Sequence, residues 1–80
     1  MTRVVLYSKP GCHLCDDVKA IIERVQASVK QPFDFEICNI EDDAAQFAAY
    51  QYAIPVVMVN NVEIARYRLS EADFRRAIGV

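Results

Sequence analysis

The first third of the chain combines a short apolar run with a long amphipathic segment. Residues 4–7 are Val-Val-Leu-Tyr and precede a Lys-Pro-Gly turn, which predicts a strand over residues 3–8 that is buried on both faces. Beyond the turn, apolar side chains recur along one face of a helix: Leu14, Val18, Ile21, Ile22, Val25 and Val29. This helix is predicted to begin near Cys12 and to end before Pro32, because the residue before a proline is disfavoured in helical geometry.

A second strand and a second helix follow. Apolar residues at positions 33, 35 and 37 alternate with acids at 34 and 36, which predicts a strand with one apolar and one more polar face that reaches about Cys38. Three acidic residues, 41–43, precede a stretch rich in alanine. Because acids favour the amino terminus of a helix and alanine has the best helix propensity, we predict a helix that ends near Gln51.

The remainder of the chain has the pattern of a hairpin and a closing helix. Residues 56–59 are a continuous apolar run and residues 62–66 alternate between apolar and polar. The Asn-Asn pair at 60–61 between them suits the positive φ angles of a two-residue hairpin turn. Ser70 is the predicted N-cap of the last helix, and Gly79 closes it.

The predicted order of elements is therefore β-α-β-α-β-β-α. A helical connection makes strands one and two parallel with a right-handed crossover, and the hairpin adds two strands that are antiparallel to each other. The result is an α/β fold, a mixed four-stranded sheet flanked by helices on both faces. We predict one domain over residues 1–80, because no repeat, low-complexity tract or linker interrupts the pattern.

Composition and charge narrow the classes of function. A net charge of −2 gives the molecule no general attraction to nucleic acid or to anionic lipid. The longest apolar run, 53–59, has seven residues including a proline, whereas a membrane span needs about twenty. The amino terminus lacks the apolar core of a signal peptide. Three cysteines, an odd number, suit a reducing compartment better than a secreted disulfide framework. We expect a monomeric cytoplasmic protein with no nucleic-acid or membrane partner.

The candidate chemistry lies at Cys12 and Cys15, a C-x-x-C motif at the junction of the first strand and the first helix. In that context the motif indicates redox chemistry. Unpaired amides at the start of the helix stabilise a thiolate, and Lys9 adds positive charge. Cys12 is the predicted nucleophile, whereas Cys15, one turn further along, is the predicted resolving thiol. Asp16 and Asp17 favour the helix start but oppose ionisation of Cys12, and the sequence does not decide between these effects.

Two other roles for these cysteines are open. A structural disulfide in a ring of four residues stabilises by only about 2 kcal/mol, against about 4.7 kcal/mol for a loop of 100 residues, so this role is disfavoured. Cys12, Cys15, Cys38 and His13 supply four potential zinc ligands, but Cys38 is alone at its strand end and forms no second knuckle. We therefore predict no metal ligand and interpret Cys38 as a small core hydrophobe. A metal-binding module, with zinc or an iron–sulfur cluster, and a non-catalytic binding domain remain the alternative functions.

The segment from Tyr7 to Cys15, Tyr-Ser-Lys-Pro-Gly-Cys-His-Leu-Cys, resembles the glutaredoxin signature of strand, lysine, turn and C-x-x-C. Ile54-Pro55 falls where that family carries a cis-proline that faces the cysteines. The order of elements also matches over essentially the whole chain. The sequence is thus similar to glutaredoxin-like proteins of the thioredoxin-fold superfamily.

The resemblance implies a thioredoxin fold and a dithiol–disulfide oxidoreductase that reduces or exchanges disulfides in proteins or glutathione conjugates, in electron transport and cell redox homeostasis. It implies that Pro55 is cis, that the backbone of Ile54 pairs with the substrate and that Lys9 contributes to substrate binding. No bound cofactor is implied. Glutathione is the expected co-substrate, and the expected external reductant is glutathione or a system of the thioredoxin reductase type.

The sequence also departs from the glutaredoxin pattern. His13 and Leu14 stand where glutaredoxins usually have proline and tyrosine. Residues 65–69, Ala-Arg-Tyr-Arg-Leu, stand where glutaredoxins place a Gly-Gly pair and an acid that dock the γ-glutamyl end of glutathione. Glutathione binding is therefore open. Arg66 and Arg68 are either candidates for attracting a carboxylate or a solvated basic strand end.

Overall fold

A computed structural model describes all 80 residues and confirms the predicted order of elements. The one element that was not predicted is a 3-10 turn before the second helix. Glu41 and Asp42 lie in that turn and not in the helix. Asp43 is the N-cap of the helix and accepts hydrogen bonds from the amides of residues 45 and 46 at 2.8 and 3.0 Å. The elements are β1 (Arg3–Ser8), α1 (His13–Ser28), β2 (Asp34–Asn39), the 3-10 turn (Ile40–Asp42), α2 (Ala44–Tyr50), β3 (Val56–Val59), β4 (Val62–Arg66) and α3 (Glu71–Ile78).

The four strands form one mixed sheet in the order β2-β1-β3-β4. β1 is parallel to β2 and antiparallel to β3, which forms the predicted hairpin with β4. Asn60 and Asn61 adopt φ angles of 50° and 67° in the two-residue turn. The register shifts at Val57 and Met58, which pair with Ala65 and Glu63, so the intervening residue of β4 forms a bulge. The α/β architecture predicted from the sequence is confirmed.

Helices cover both faces of the sheet. On one face, side chains of β1 and β3 pack in the main core with buried residues of α1 and with Phe74 of α3. On the other face, the ring of Tyr7 in β1 stacks on Tyr50 of α2, with ring centroids 4.7 Å apart. Ser70 caps α3 as predicted, because its hydroxyl accepts a hydrogen bond from the Asp73 amide at 3.0 Å. Gly79 ends the helix, also as predicted, and has a φ of 83°.

Two apolar positions lie differently from their predicted places in the core. α1 buries Cys15 together with Val18, Ile22 and Val25, whereas Leu14 is 45% exposed. The buried stripe therefore runs through the second cysteine, and Leu14 lies at its edge. Ile37 is also 45% exposed, because β2 is an edge strand. None of the helices combines the length and apolar character that crossing a membrane requires.

Candidate active site

Cys12 occupies the N-cap of α1, immediately after the turn at Gly11. Gly11 has a φ of 79°, a conformation that glycine adopts without strain. The Sγ of Cys12 accepts a hydrogen bond from the amide of Cys15 at 3.1 Å, and the Cys12 carbonyl accepts one from the amide of Asp16 at 3.1 Å. The sulfur thus lies at the positive end of the helix dipole with an amide directed at it, a geometry that favours negative charge on sulfur.

Cys15 is bonded to Cys12 in a disulfide, with a Cα–Cα distance of 5.2 Å. The two cysteines differ sharply in exposure, because Cys15 is 2% exposed whereas Cys12 is half-buried and reaches the surface. The structure therefore presents the oxidised pair with one accessible and one shielded sulfur. The predicted nucleophile is thus the more exposed of the two cysteines, and the predicted resolving thiol is the buried one.

Ile54 and Pro55 lie beside the cysteines, and the peptide bond between them is cis. Ile54 packs with Cys15 and Ile40 in a small apolar cluster, against which Cys12, Tyr7 and Tyr50 also pack. Two separate parts of the sequence, the C-x-x-C pair and residue 54, are thus brought together. The loop between α2 and β3 forms one wall of the site.

The backbone of Ile54 is only partly available to a substrate. Its amide donates a hydrogen bond to the Tyr50 carbonyl at 3.1 Å, and its carbonyl accepts none within the protein. The expected strand-like pairing therefore applies to the carbonyl alone, because the amide is already engaged by the end of α2. The Pro55 carbonyl accepts a hydrogen bond from the Tyr67 amide at 2.9 Å, which fixes the loop before α3 beside the cis-proline.

Lys9 is half-buried and directly follows the last residue of β1. It lines a shallow polar groove of about 270 Å³ together with Gly11, Asp16 and Lys19. None of the ion pairs in the protein involves Lys9. Its ammonium group is consequently free to interact with an anion near the Cys12 loop, whereas His13 is exposed at the first position of α1.

The segment that replaces the Gly-Gly pair of glutaredoxins has an unexpected backbone. Tyr67 has a φ of 68°, which is uncommon for a bulky residue. Arg66 forms a two-pronged ion pair with Glu63 at 2.6 and 3.0 Å, and its guanidinium lowers the pKa of the Glu63 carboxyl. The guanidinium of Arg66 is thus ion-paired with Glu63 on the same strand, whereas Arg68 forms no ion pair. Of the two arginines proposed to attract a carboxylate, only Arg68 is free.

Cys38 lies outside the site. It pairs with Tyr7 across β1 and β2, has a free thiol, and is half-buried rather than part of the core. Burial raises the pKa of the Cys38 thiol, and the negative charge of Glu36 raises it further. The structure forms no cluster of three or more His, Cys, Asp or Glu side chains suited to a metal ion, so His13 and Cys38 do not complete a zinc ligand set with the C-x-x-C pair.

In the fully reduced protein, we expect Cys38 to be alkylated at least about tenfold more slowly than Cys12 at pH 7, because a raised pKa leaves little thiolate at neutral pH. The rate at Cys38 should rise steeply as the pH increases toward that pKa. Iodoacetamide labelling followed by peptide mass spectrometry measures both rates. A Cys38→Ala variant should lose the labelled Cys38 peptide and leave the rate at Cys12 unchanged. Equal rates at pH 7 would contradict the assignment of Cys38 as an inert thiol.

The sequence profile of the glutaredoxin-like domain family (DUF836) matches residues 3–79. This chain belongs to the glutaredoxin-like domain family. The match includes the C-x-x-C pair, the cis-proline and all the strands and helices. No curated protein matches this glutaredoxin-like chain.

Solved structures agree with the family assignment. The glutaredoxin-like chain is similar to protein Ne2328 from Nitrosomonas europaea, with 29% identity, a TM-score of 0.74 and coverage of 98% of this chain and 87% of that one. It is similar to protein XcR50 from X. campestris, with 25% identity, a TM-score of 0.75 and 95% coverage of both. A mutant thioredoxin from Halobacterium salinarum NRC-1 shares 11% identity and a TM-score of 0.68 over 96% of this chain and 71% of that one. The last similarity concerns the fold alone, which is the thioredoxin fold.

Two features of the site had no signal in the sequence. The left-handed backbone of Tyr67 is one, since tyrosine has no local preference for it. The occupied amide of Ile54 is the other, because it depends on how α2 ends.

Tyr50 packs on Tyr7 beside the cysteines, whereas Tyr52 is 85% exposed.

Proposed function

We propose that this glutaredoxin-like protein is a dithiol–disulfide oxidoreductase that reduces or exchanges disulfides in proteins or glutathione conjugates. The observation that carries the proposal is the position of Cys12, whose sulfur caps α1, accepts the Cys15 amide and is disulfide-bonded to the shielded Cys15. A purely structural disulfide does not require one exposed and one shielded sulfur. A nucleophile and a resolving thiol do require this difference in exposure, because the nucleophile must reach a substrate whereas the resolving thiol must reach only the nucleophile.

The reaction starts from the reduced pair. The Cys12 thiolate attacks one sulfur of the substrate disulfide, a bond forms between the two sulfurs, and the other substrate sulfur leaves as a thiolate that takes a proton from water. Cys15 then loses its proton and attacks the Cys12 sulfur. The mixed disulfide breaks, the second substrate thiol is released, and the Cys12–Cys15 disulfide remains. Two electrons pass from the dithiol to the substrate.

An external reductant must return those two electrons. We propose glutathione or a system of the thioredoxin reductase type, with glutathione as co-substrate, and identify the donor as the one that reopens the Cys12–Cys15 disulfide. Lys9 supports the binding of an anionic group beside Cys12, because its ammonium has no partner within the protein. The free thiol of Cys38 fits the reducing cytoplasm as the place of action.

The test is a stoichiometric reaction of the reduced protein with an aromatic disulfide that releases a coloured thiolate. One equivalent of reagent should release two coloured thiolates per protein, and peptide mapping should find a Cys12–Cys15 disulfide. A Cys38→Ala variant is the matched control and should behave identically. A lasting adduct on Cys12, with Cys15 still a thiol, would contradict the proposed resolving step.

A further inference from the structure

A groove runs between α1 and the loop that precedes α3, with a volume of about 360 Å³. We call it the α1–α3 groove. Its walls are mainly apolar and include Leu14 and Ile21 from α1 and Tyr67 and Leu69 from the loop. Leu14 precedes Cys15 in the chain, and the Tyr67 amide bonds to the Pro55 carbonyl at 2.9 Å. One wall of the groove therefore adjoins Cys15 in the chain, and the other wall is hydrogen-bonded to the cis-proline of the proposed active site.

Apolar surface is left open at this groove. Leu14 is 45% exposed and Tyr67 is 49% exposed, although the core of the protein lies directly beneath them. The backbone holds Tyr67 there with a φ of 68°, in a γ-turn closed by a hydrogen bond of 2.7 Å from the Arg68 amide to the Arg66 carbonyl. Such a conformation costs conformational energy in a bulky residue and persists where its surroundings impose it. The structure thus maintains an exposed apolar wall that includes Leu14, the residue before Cys15.

The groove also has a defined charge pattern. Arg68 lies on the loop wall and forms no ion pair, whereas its neighbour Arg66 is engaged by Glu63. Asp17 lies on the α1 wall and is not paired with Arg68. An acidic group of an occupant is accordingly favoured at the loop wall and disfavoured at the α1 wall.

We propose that the α1–α3 groove binds a bulky apolar side chain adjacent to the reacting cysteine of a polypeptide substrate, with an acidic side chain next to it at Arg68. This inference rests on the proposed function and specifies its substrate class. An apolar side chain gains by leaving water for these walls. The γ-glutamyl group of glutathione has no comparable side chain, and burying its ammonium and carboxylate against Leu14 and Tyr67 would desolvate charge. The observations therefore favour a polypeptide over glutathione in this groove.

Disulfide-linked dimers of short peptides test the proposal with the reduced wild-type protein. In each peptide the residue next to the cysteine is leucine or serine, and the residue beyond it is aspartate or lysine. One set of peptides has these residues before the cysteine, and a second set has them after it. On one side, leucine should raise the second-order rate constant of reduction about tenfold over serine. Aspartate in the next position should raise it about threefold to fivefold over lysine at low salt, and this second preference should weaken in high salt.

Variants connect these preferences to the groove. Leu14→Ser should reduce the preference for leucine, and Arg68→Glu should change the preference for aspartate into one for lysine. Lys30→Glu is the matched control, because Lys30 is exposed, lies outside the groove and undergoes the same change of charge. It should keep both wild-type preferences. Circular dichroism checks that each variant is folded.

The outcomes separate the inference from the function on which it rests. Reduction of all peptides at equal rates would overturn the groove assignment and leave the oxidoreductase proposal standing. Failure of the reduced wild-type protein to reduce any disulfide would overturn the oxidoreductase proposal itself. Loss of glutathione disulfide reduction in Arg68→Glu, with peptide preferences unchanged, would assign the groove to glutathione and refute the polypeptide proposal.

Discussion

Replacing Cys12 with serine is expected to lower the rate of disulfide exchange to the uncatalysed level, a loss of roughly a thousandfold or more. The reason is that a serine hydroxyl at the N-cap is un-ionised at neutral pH, whereas a thiol in that position is stabilised as thiolate by the Cys15 amide and the dipole of α1. Cys15→Ser should instead allow the first attack and arrest the cycle at the mixed disulfide, because no second thiol reaches Cys12.

The two variants are compared by turnover with a disulfide substrate and by mass spectrometry of the products. Cys15→Ser should accumulate a covalent adduct at Cys12 that added reductant releases. Cys38→Ser is the control and should retain wild-type turnover, because Cys38 lies on β2 beside Tyr7 and outside the cysteine pair. Undiminished turnover in Cys12→Ser would refute the mechanism. An adduct on Cys38 in place of Cys12 would do so as well.

Phe74→Ala is expected to have the largest effect on stability. Phe74 is fully buried, anchors α3 in the main core and makes an edge-to-face contact with Phe33 at 5.8 Å between ring centroids. Truncating a buried phenylalanine costs about 3–5 kcal/mol, while a chain of this size has a total free energy of unfolding of about 4–12 kcal/mol. The variant should therefore be largely or partly unfolded at room temperature.

Urea unfolding, followed by circular dichroism with the Cys12–Cys15 disulfide intact in every sample, measures this effect. Tyr52→Ala is the matched control, since it also removes an aromatic ring but from a side chain that is 85% exposed. Its free energy of unfolding should change by less than about 0.5 kcal/mol. A loss below about 1 kcal/mol for Phe74→Ala would mean that α3 contributes little to the core.

The features predicted correctly from sequence are those specified by nearby residues. Asn60 and Asn61 tolerate positive φ, so the hairpin follows from two adjacent residues. Ser70 and Gly79 bound α3 through bonds within its own turns. The C-x-x-C pair is likewise local, because its position at the start of a helix follows from the strand and the apolar stripe on either side.

The features that sequence did not predict depend on distant contacts. Whether Leu14 or Cys15 faces the core depends on how α1 lies across the sheet, and both positions are compatible with an apolar stripe. Ile37 is exposed because no strand pairs beyond β2. Tyr67 takes its left-handed conformation where its amide meets the carbonyl of Pro55 twelve residues earlier. The position of the C-x-x-C pair at the start of α1 was therefore predictable, whereas the α1–α3 groove required the three-dimensional structure.

The burial of Cys15 beneath Cys12 constrains the kinetics of the proposed cycle. Since only one sulfur faces solvent, the oxidant and the electron donor must arrive at the same atom, one after the other. The two half-reactions then share a single entrance and cannot overlap in time. Because one sulfur is shielded, the proposed cycle should follow ping-pong kinetics. A high concentration of either the substrate disulfide or the electron donor should then inhibit the reaction of the other.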